Sequence, residues 1–354
     1  MSYKYGMSAL NLEMTDRVPR TEYSASSHWE LVKAVTGIEV TPQSSPENQA
    51  KASAAFERAW NFDIRLDAMV GSGGRYFTGR RTTMGHAEYG AGGTDFDQNV
   101  NCPFESPEEV LDFDPMEEYG PCDKKQIIRD YTDRYDRNVA FNPDAVNTNG
   151  VYTTCVSGLV EMFGWEMLLT AAGTDPDAFG EMTNRYMKWI SGYFEALAET
   201  DIPVVISHDD IVWTAGAFIH PDWYRKYVFA NYKKIFAPIL ESGKKLLFIS
   251  DGTYTQFVDD IIGCGVHGLF MEPTTDMGYI AEKYGKTHAF VGNADTRILL
   301  TGSKEDIYNE VKRCMDIGKK YPGFIMAVGN HIPANTPVEN ALYYNECYEK
   351  LGKR

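Results

Sequence analysis

The side chains best suited to chemistry fall at the ends of short apolar runs. His208, Asp209 and Asp210 close the run IPVVISHDD (202–210), Asp251 closes KKLLFISDG (244–252) and Glu272 closes VHGLFMEP (266–273). Asn293 and Asp295 end THAFVGNAD (287–295), and Asn330 and His331 end GFIMAVGNH (323–331). An earlier run, VPRTEYS (18–24), carries Arg20, Glu22 and Tyr23, with His28 and Trp29 just beyond it. Imidazole and carboxyl groups can exchange protons with a substrate, and carboxylates and amides orient polar groups, so this set suits acid–base chemistry and positioning. Asp and Asn are also ordinary turn and cap residues, so any one of them is as readily structural as functional. His208, Glu272 and His331 stand out because neither His nor Glu is a preferred turn residue. His86, His220, His267 and His288 sit in loops or beside helix starts and are expected to be structural or solvated.

The same residues raise the question of a metal. Catalytic zinc commonly takes three ligands from protein, and His331 with Asp251, Glu272 or Asp295 can supply such a set. No HExxH motif or paired CxxC is present, so hydrogen-bonded carboxylates orienting a polar substrate explain the same residues equally well. Arg75, Arg80 and Arg81 lie in a glycine-rich stretch, where guanidinium groups can hold a carboxylate or phosphate or simply face solvent.

The elements that must position these groups alternate. Helical segments separate the five apolar runs, among them one from Pro221 to a stop at Gly243 and one capped by Ser303 and ending near Gly318, and a last one over 336–351 follows the fifth run. Upstream, 18–24, 62–70 and 147–154 supply three further strands, for a total of eight. Strand–helix alternation demands a parallel sheet covered by helices, and eight units predict an α/β fold of the (β/α)8 TIM-barrel type. Residues 1–354 are expected to form one barrel domain with a loop-rich N-terminal third. A doubly wound open sheet is the alternative, but GSGG at 71–74 is no GxGxxG fingerprint and no Walker A sequence occurs. In a barrel the carboxyl ends of the strands converge on one mouth, which gathers the polar strand ends into one site.

The composition is that of a chain able to bury a full core. Of 354 residues, 43% are apolar and 24% charged, with 34 Lys and Arg against 50 Asp and Glu, a net charge of −16. That charge repels phosphate backbones and anionic lipid, which argues against nucleic acid or membrane partners. The first twenty residues lack the apolar core of a signal peptide, and no run is long enough to span a bilayer. Six scattered cysteines suggest reduced thiols, so a cytoplasmic location is expected.

Several segments taken in order resemble the uroporphyrinogen decarboxylase superfamily: TDRVPR (15–20), SHDDIVWTAGAFIHPDWYRKYV (207–228), LLFISDGTY (246–254), GNADTRILLTGSKEDI (292–307) and NHIPANTPVENA (330–341). The match covers most of the chain and is weakest between about 75 and 140. The resemblance implies a (β/α)8 barrel, usually dimeric, so a homodimer is expected. Decarboxylases of this family carry an arginine-rich segment after the first strand for substrate carboxylates. Here that stretch is RTEYSASSHW (20–29), with one arginine and an added Glu22, too little positive charge for an octa-acid. The thiol-methylating branch holds zinc on a His-x-Cys segment and a further Cys, where this chain has Ile249-Ser250-Asp251 and Gly329-Asn330-His331.

A third branch, the methyltransferase components of O-demethylase systems, is the most similar. It implies methyl transfer from a methoxylated aromatic, or a related O-methyl donor, to Co(I) of a corrinoid (cobalamin) protein. A zinc motif of that branch places Glu, fourteen residues, Glu, twenty residues and His; Asp295, Glu310 and His331 reproduce both spacings. Glu310 should lie mid-helix, about a turn or more from the mouth, so Asp251 or Glu272 remains an alternative ligand beside His331. The resulting expectation assigns His331, Glu272 and Asp251 to catalysis and Glu22, Tyr23, His28, Trp29, His208, Asp210 and Asn330 to substrate. Two rivals remain: a decarboxylase of a smaller acid, held by Arg20, Arg75 or Arg80, and a non-catalytic binding protein.

Overall fold

The computed structural model describes residues 1–70, 76–82 and 101–354. Arg75, Met84, His86 and the glycine-rich turns at 71–74 and 89–97 lie outside the described residues. Among the described residues, eight short parallel strands carry the fold: β1 (Ile64–Arg65), β2 (Val146–Asn147), β3 (Asn149–Val151), β4 (Val204–His208), β5 (Lys245–Ser250), β6 (Gly268–Met271), β7 (Ala289–Val291) and β8 (Phe324–Ile325). β1 pairs with β2, and β3 to β8 pair in sequence order. Only Thr148 separates β2 from β3, so the two are halves of one stave.

Residues 18–23 supply the remaining stave and close the circle. The Arg20 carbonyl accepts from the Asp63 amide at 2.8 Å on one side, while Arg20 and Tyr23 bridge Met326 and His331 on the other. The result is the (β/α)8 barrel, with the first stave held by single bridges rather than a continuous ladder.

Side-chain alternation along the strands builds two separate cores. An inner core takes every second residue: Ile64, Val146, Val204, Ile206, Leu247, Ile249, Phe270, Ala289, Val291, Ile325 and Ala327. The N-terminal helix Tyr3–Leu10 plugs the amino end of the barrel, adding Ala9 and Leu10 to that inner core. The other parity, Val205, Leu246, Phe248, Leu269, Phe290 and Phe324 among them, packs against the surrounding helices.

Those helices begin and end where local chemistry dictates. Pro221 opens the segment after β4, which passes through a π-helical turn at Tyr224–Phe229 and continues as Ala230–Glu241; Gly243 then adopts φ +76°. After β7, Ser303 caps Lys304–Gly318 with a reciprocal capping box to Asp306. Val338–Leu351 follows β8 and packs on Lys304–Gly318. All six cysteines are free thiols. Among the described residues, no helix is long and apolar enough to cross a membrane.

Candidate active site at the carboxyl ends of the strands

The inner parity that buries Ile206, Ile249, Phe270 and Ala327 continues past the strand ends to His208, Asp251, Glu272 and His331. These residues therefore turn toward the barrel axis, where the mouth forms. Its floor is lined by Tyr23, Tyr152, His208, Ile249, Asp251, Phe270, Gly329, Asn330 and His331 and leaves a cavity of about 10 Å3, room for one water.

His331 is fixed from two sides. Its Nδ1 lies 2.8 Å from the Ser24 hydroxyl, and its ring meets Tyr23 edge to face at 5.1 Å. Ser24 reaches it from a left-handed backbone (φ 52°), uncommon for a residue with a Cβ. A hydroxyl can donate to or accept from Nδ1, so Ser24 can support the ring as proton donor or as acceptor. The Tyr23 phenol is raised well above its ordinary range, chiefly by burial and then by the Asp251, Asp210 and Asp67 carboxylates, and it stays protonated.

Asn330 joins the carboxylates. Its side-chain amide donates to Asp251 Oδ2 at 3.1 Å and Glu272 Oε1 at 2.6 Å, and its Oδ1 accepts from the His331 amide at 2.7 Å. Glu272 Oε2 also accepts from the Gly252 amide at 2.8 Å. Gly329 makes this reach possible, because a Cβ there would stand 2.9 Å from Glu272 Cα and 3.0 Å from the Met271 carbonyl. At the β4 exit, His208 stacks on Tyr152 with 4.1 Å between centroids. Its Nδ1 lies 3.0 Å from the Tyr152 carbonyl and its Nε2 3.6 Å from Asp210, whose Oδ1 accepts from the Asp251 amide at 2.9 Å. Asp210, Asp251, Glu272, Asn330 and His331 thus form one hydrogen-bonded rim joined through backbone and side chain.

Other expected site residues have structural partners instead. Glu22 has the outward parity and is buried: it pairs with Arg20 at 3.0 Å and accepts from the Tyr344 hydroxyl at 2.7 Å and the Val328 amide at 2.8 Å. Its assignment to substrate is corrected; it closes the barrel. His28 is also corrected, since it caps the helix Trp29–Thr36 through Nδ1 at 3.2 Å and holds the Thr336 carbonyl through Nε2 at 2.8 Å. Trp29, half-buried, packs against the outer core rather than the floor. Asp209 caps Val156–Thr174 through the Val156 and Ser157 amides and accepts from the Tyr232 hydroxyl. Arg80 pairs with Glu118 at 3.2 Å and Arg81 with Glu161 at 2.9 Å, which ties both to neighbouring helices.

The expected zinc set does not assemble. Asp295 caps the short helix Thr296–Thr301 and is paired with Arg297 at 2.7 Å. Burial pushes its carboxyl up, but the Arg297 hydrogen bonds and the Arg297 and Arg313 charges outweigh this and hold it below its ordinary value. Glu310 takes the Asp295 amide at 2.9 Å and Arg313 at 2.7 Å from the outer helix. Both carboxylates are thus neutralised by guanidinium groups, while His331 belongs to the mouth. The alternatives Asp251 and Glu272 share Asn330 instead. Among the described residues, no group of three or more His, Cys, Asp and Glu side chains is arranged to hold a metal ion.

Sequence reasoning missed Ser24, Tyr152 and Phe270. Tyr152 and Phe270 were legible in principle: Phe270 shares Glu272's parity, and Tyr152 ends a stave as His208 does. The Ser24 contact depends on a backbone twist that no spacing encodes.

Comparison with known proteins agrees with this architecture. A uroporphyrinogen decarboxylase from Geobacter sulfurreducens is 22% identical over 255 residues, 71% of this chain and 73% of that protein. One from Carboxydothermus hydrogenoformans is 28% identical over 179 residues, about half of each chain. Among solved structures, a methyltransferase from Methanosarcina mazei superposes with a TM-score of 0.66 at 18% identity, covering 99% of both chains, which shows the shared fold. The family model described as Uroporphyrinogen decarboxylase (URO-D) matches residues 95–351, well over half the sequence, and the chain belongs to that family.

Proposed function

We propose that this protein transfers a methyl group from an O-methyl donor, a methoxylated aromatic by our reading, to the cobalt of a corrinoid carried by a partner protein. The observation that supports this best is the His331 cluster: an imidazole steered by Ser24 and Tyr23 at the barrel floor, beside a carboxylate pair joined by Asn330. An aryl ether oxygen leaves poorly as a phenolate, so a fixed proton donor at that oxygen is what such a transfer requires. When bound, the corrinoid supplies a Co(I) nucleophile to which the methyl carbon is transferred.

The remaining work falls to this chain's residues. His331 delivers a proton to the ether oxygen as the carbon–oxygen bond breaks, leaving a neutral phenol. Tyr23, with its phenol held protonated, donates a second hydrogen bond to that oxygen. Glu272 and Asp251, oriented by Asn330, set the charge around the imidazole. Phe270 and Tyr152 give the aromatic ring an apolar wall, with His208 and Asp210 placed to read a ring substituent. Asp295 and Glu310 have no part in this scheme, and no step runs through zinc.

The decarboxylase named among the relatives needs a cation for the substrate carboxylate. Of the three candidate cations, Arg20 is buried against Glu22 and Arg80 is paired with Glu118, so neither serves the floor, and Arg75 lies outside the described residues. The deciding experiment mixes purified protein with reduced Co(I) cobalamin and a panel of methoxylated aromatics, following absorbance from Co(I) to methyl-Co(III). Formation of methylcobalamin with one donor class is expected. No transfer across the panel, with a competent corrinoid protein also supplied, overturns the reading in favour of decarboxylation or binding.

A further inference from the structure

The residues that reproduce the zinc spacing are connected to one another and to the mouth by another route. Glu310 Oε1 accepts from the Asp295 amide at 2.9 Å and from Arg313 at 2.7 Å, and its Oε2 accepts from Arg313 Nε at 3.0 Å. The same guanidinium donates to the Asn293 carbonyl at 3.0 Å and to Asn293 Oδ1 at 2.9 Å. Asn293, fully buried, then turns its amide group onto the carbonyls of Glu272 and Thr275, each at 3.2 Å. Those two carbonyls bracket the turn that leaves β6, and Glu272 projects from it to the Gly252 amide and Asn330. The chain of contacts therefore runs from the outer helix, through the β7 exit, to a carboxylate at the floor.

We infer that Glu310 and Arg313 are positioning residues that set the place of Glu272 through Asn293, and that the Asp295–Glu310 pair does not ligate a metal. Charge supports both halves. The two carboxylates face two guanidinium groups, so the corner carries no net negative charge to draw a dication, and a metal would have to displace both arginines. A guanidinium that binds one carboxylate and one amide side chain at once fixes their relative placement through its planar fork. This inference is independent of the reaction performed at the mouth.

Gly252, at the exit of β5, is the reporter, because its amide donates to Glu272 Oε2 and its carbonyl accepts from the Thr275 hydroxyl at 2.9 Å, both on the turn that Asn293 holds. Amide exchange of Gly252 in glycine-labelled protein is measured by NMR for wild type, Arg313→Met, Arg313→Lys and Glu272→Ala. Arg313→Met is expected to speed exchange at Gly252 at least tenfold, approaching Glu272→Ala. Arg313→Lys, which keeps the charge but gathers its donors on one nitrogen, should fall between and serves if the methionine variant does not fold. In parallel, bound zinc is assayed after equilibration and dialysis for wild type, Glu310→Gln and Asp295→Asn, and the three should be equal. Loss of zinc in either variant overturns the inference, as does unchanged Gly252 protection in the folded arginine variants.

Discussion

At the scale of single residues, the proposed chemistry turns on whether His331 gives up a proton or merely fills space. A general acid contributes on the order of 10²–10⁴ in rate, and its contribution depends on how badly the leaving group needs it. His331→Ala is therefore expected to lower the rate of methylcobalamin formation by a factor in that range with an ordinary anisole. The deficit should shrink steadily as the donor's phenol becomes more acidic, since a stable phenolate departs without protonation. Ser24→Ala, which removes only the partner at Nδ1, should cost less. A His331→Ala deficit of equal size for every donor would assign the imidazole to binding and remove it from proton transfer.

At the scale of elements, strand parity separates site from scaffold better than residue type does. The sequence placed every polar strand end correctly at the carboxyl side of a predicted strand, and the capped starts at Pro221 and Ser303 are where the chain's chemistry predicted them. Counting in twos from the inner-core residues would also have sent Asp251, Glu272 and His331 inward and Glu22 and Asp209 outward. Residue type alone grouped Glu22 with the site. His28 and Asp295 were not recoverable that way, because both leave their strands and become helix caps, where backbone geometry decides. The spacing of Asp295, Glu310 and His331 misleads because it is blind to Arg313, three residues past Glu310, which pairs with that carboxylate.

Asp209 shows how an outward strand end acts on the element it caps. Burial, the larger influence, pushes its carboxyl up to about 6 from an ordinary 3.8, with the Tyr232 hydroxyl and the Ser157 and Val156 amides pulling the other way. An acid with a raised folded value binds its proton more tightly in the native state, so its effect on stability is absent below 3.8 and grows unfavourable as pH rises toward 6. The loss amounts to about 3 kcal/mol at most across that window. Asp209→Asn is expected to be less stable than wild type at pH 4, because an amide cannot match all three donors. The gap between the two urea midpoints should narrow from pH 4 to pH 7, and a gap that widens would show that the ionised form is the one the cap prefers.

At the scale of the whole molecule, a barrel is only as stable as its closing seam. Here the first stave meets β8 through isolated bridges, and a buried side-chain network takes over the work of the missing ladder. Glu22 receives the Val328 amide; Arg20 binds Glu22 and Asn345 and lies over the rings of Trp60, Tyr344 and Tyr348 at 4.4, 5.1 and 4.7 Å. Two of these rings come from the last helix, so one guanidinium ties the start of the chain to its end. Removing one partner of a buried pair leaves the other uncompensated, at about 3–5 kcal/mol, whereas replacing both by apolar groups of similar volume costs far less. Glu22→Leu should therefore be severely destabilised in urea, and Arg20→Met with Glu22→Leu should recover part of that loss. The double-mutant cycle is expected to return a coupling of at least about 2 kcal/mol. Additive losses would mean that the aromatic contacts of Arg20 and the Val328 bond of Glu22 hold the seam separately, and that the ion pair itself closes nothing.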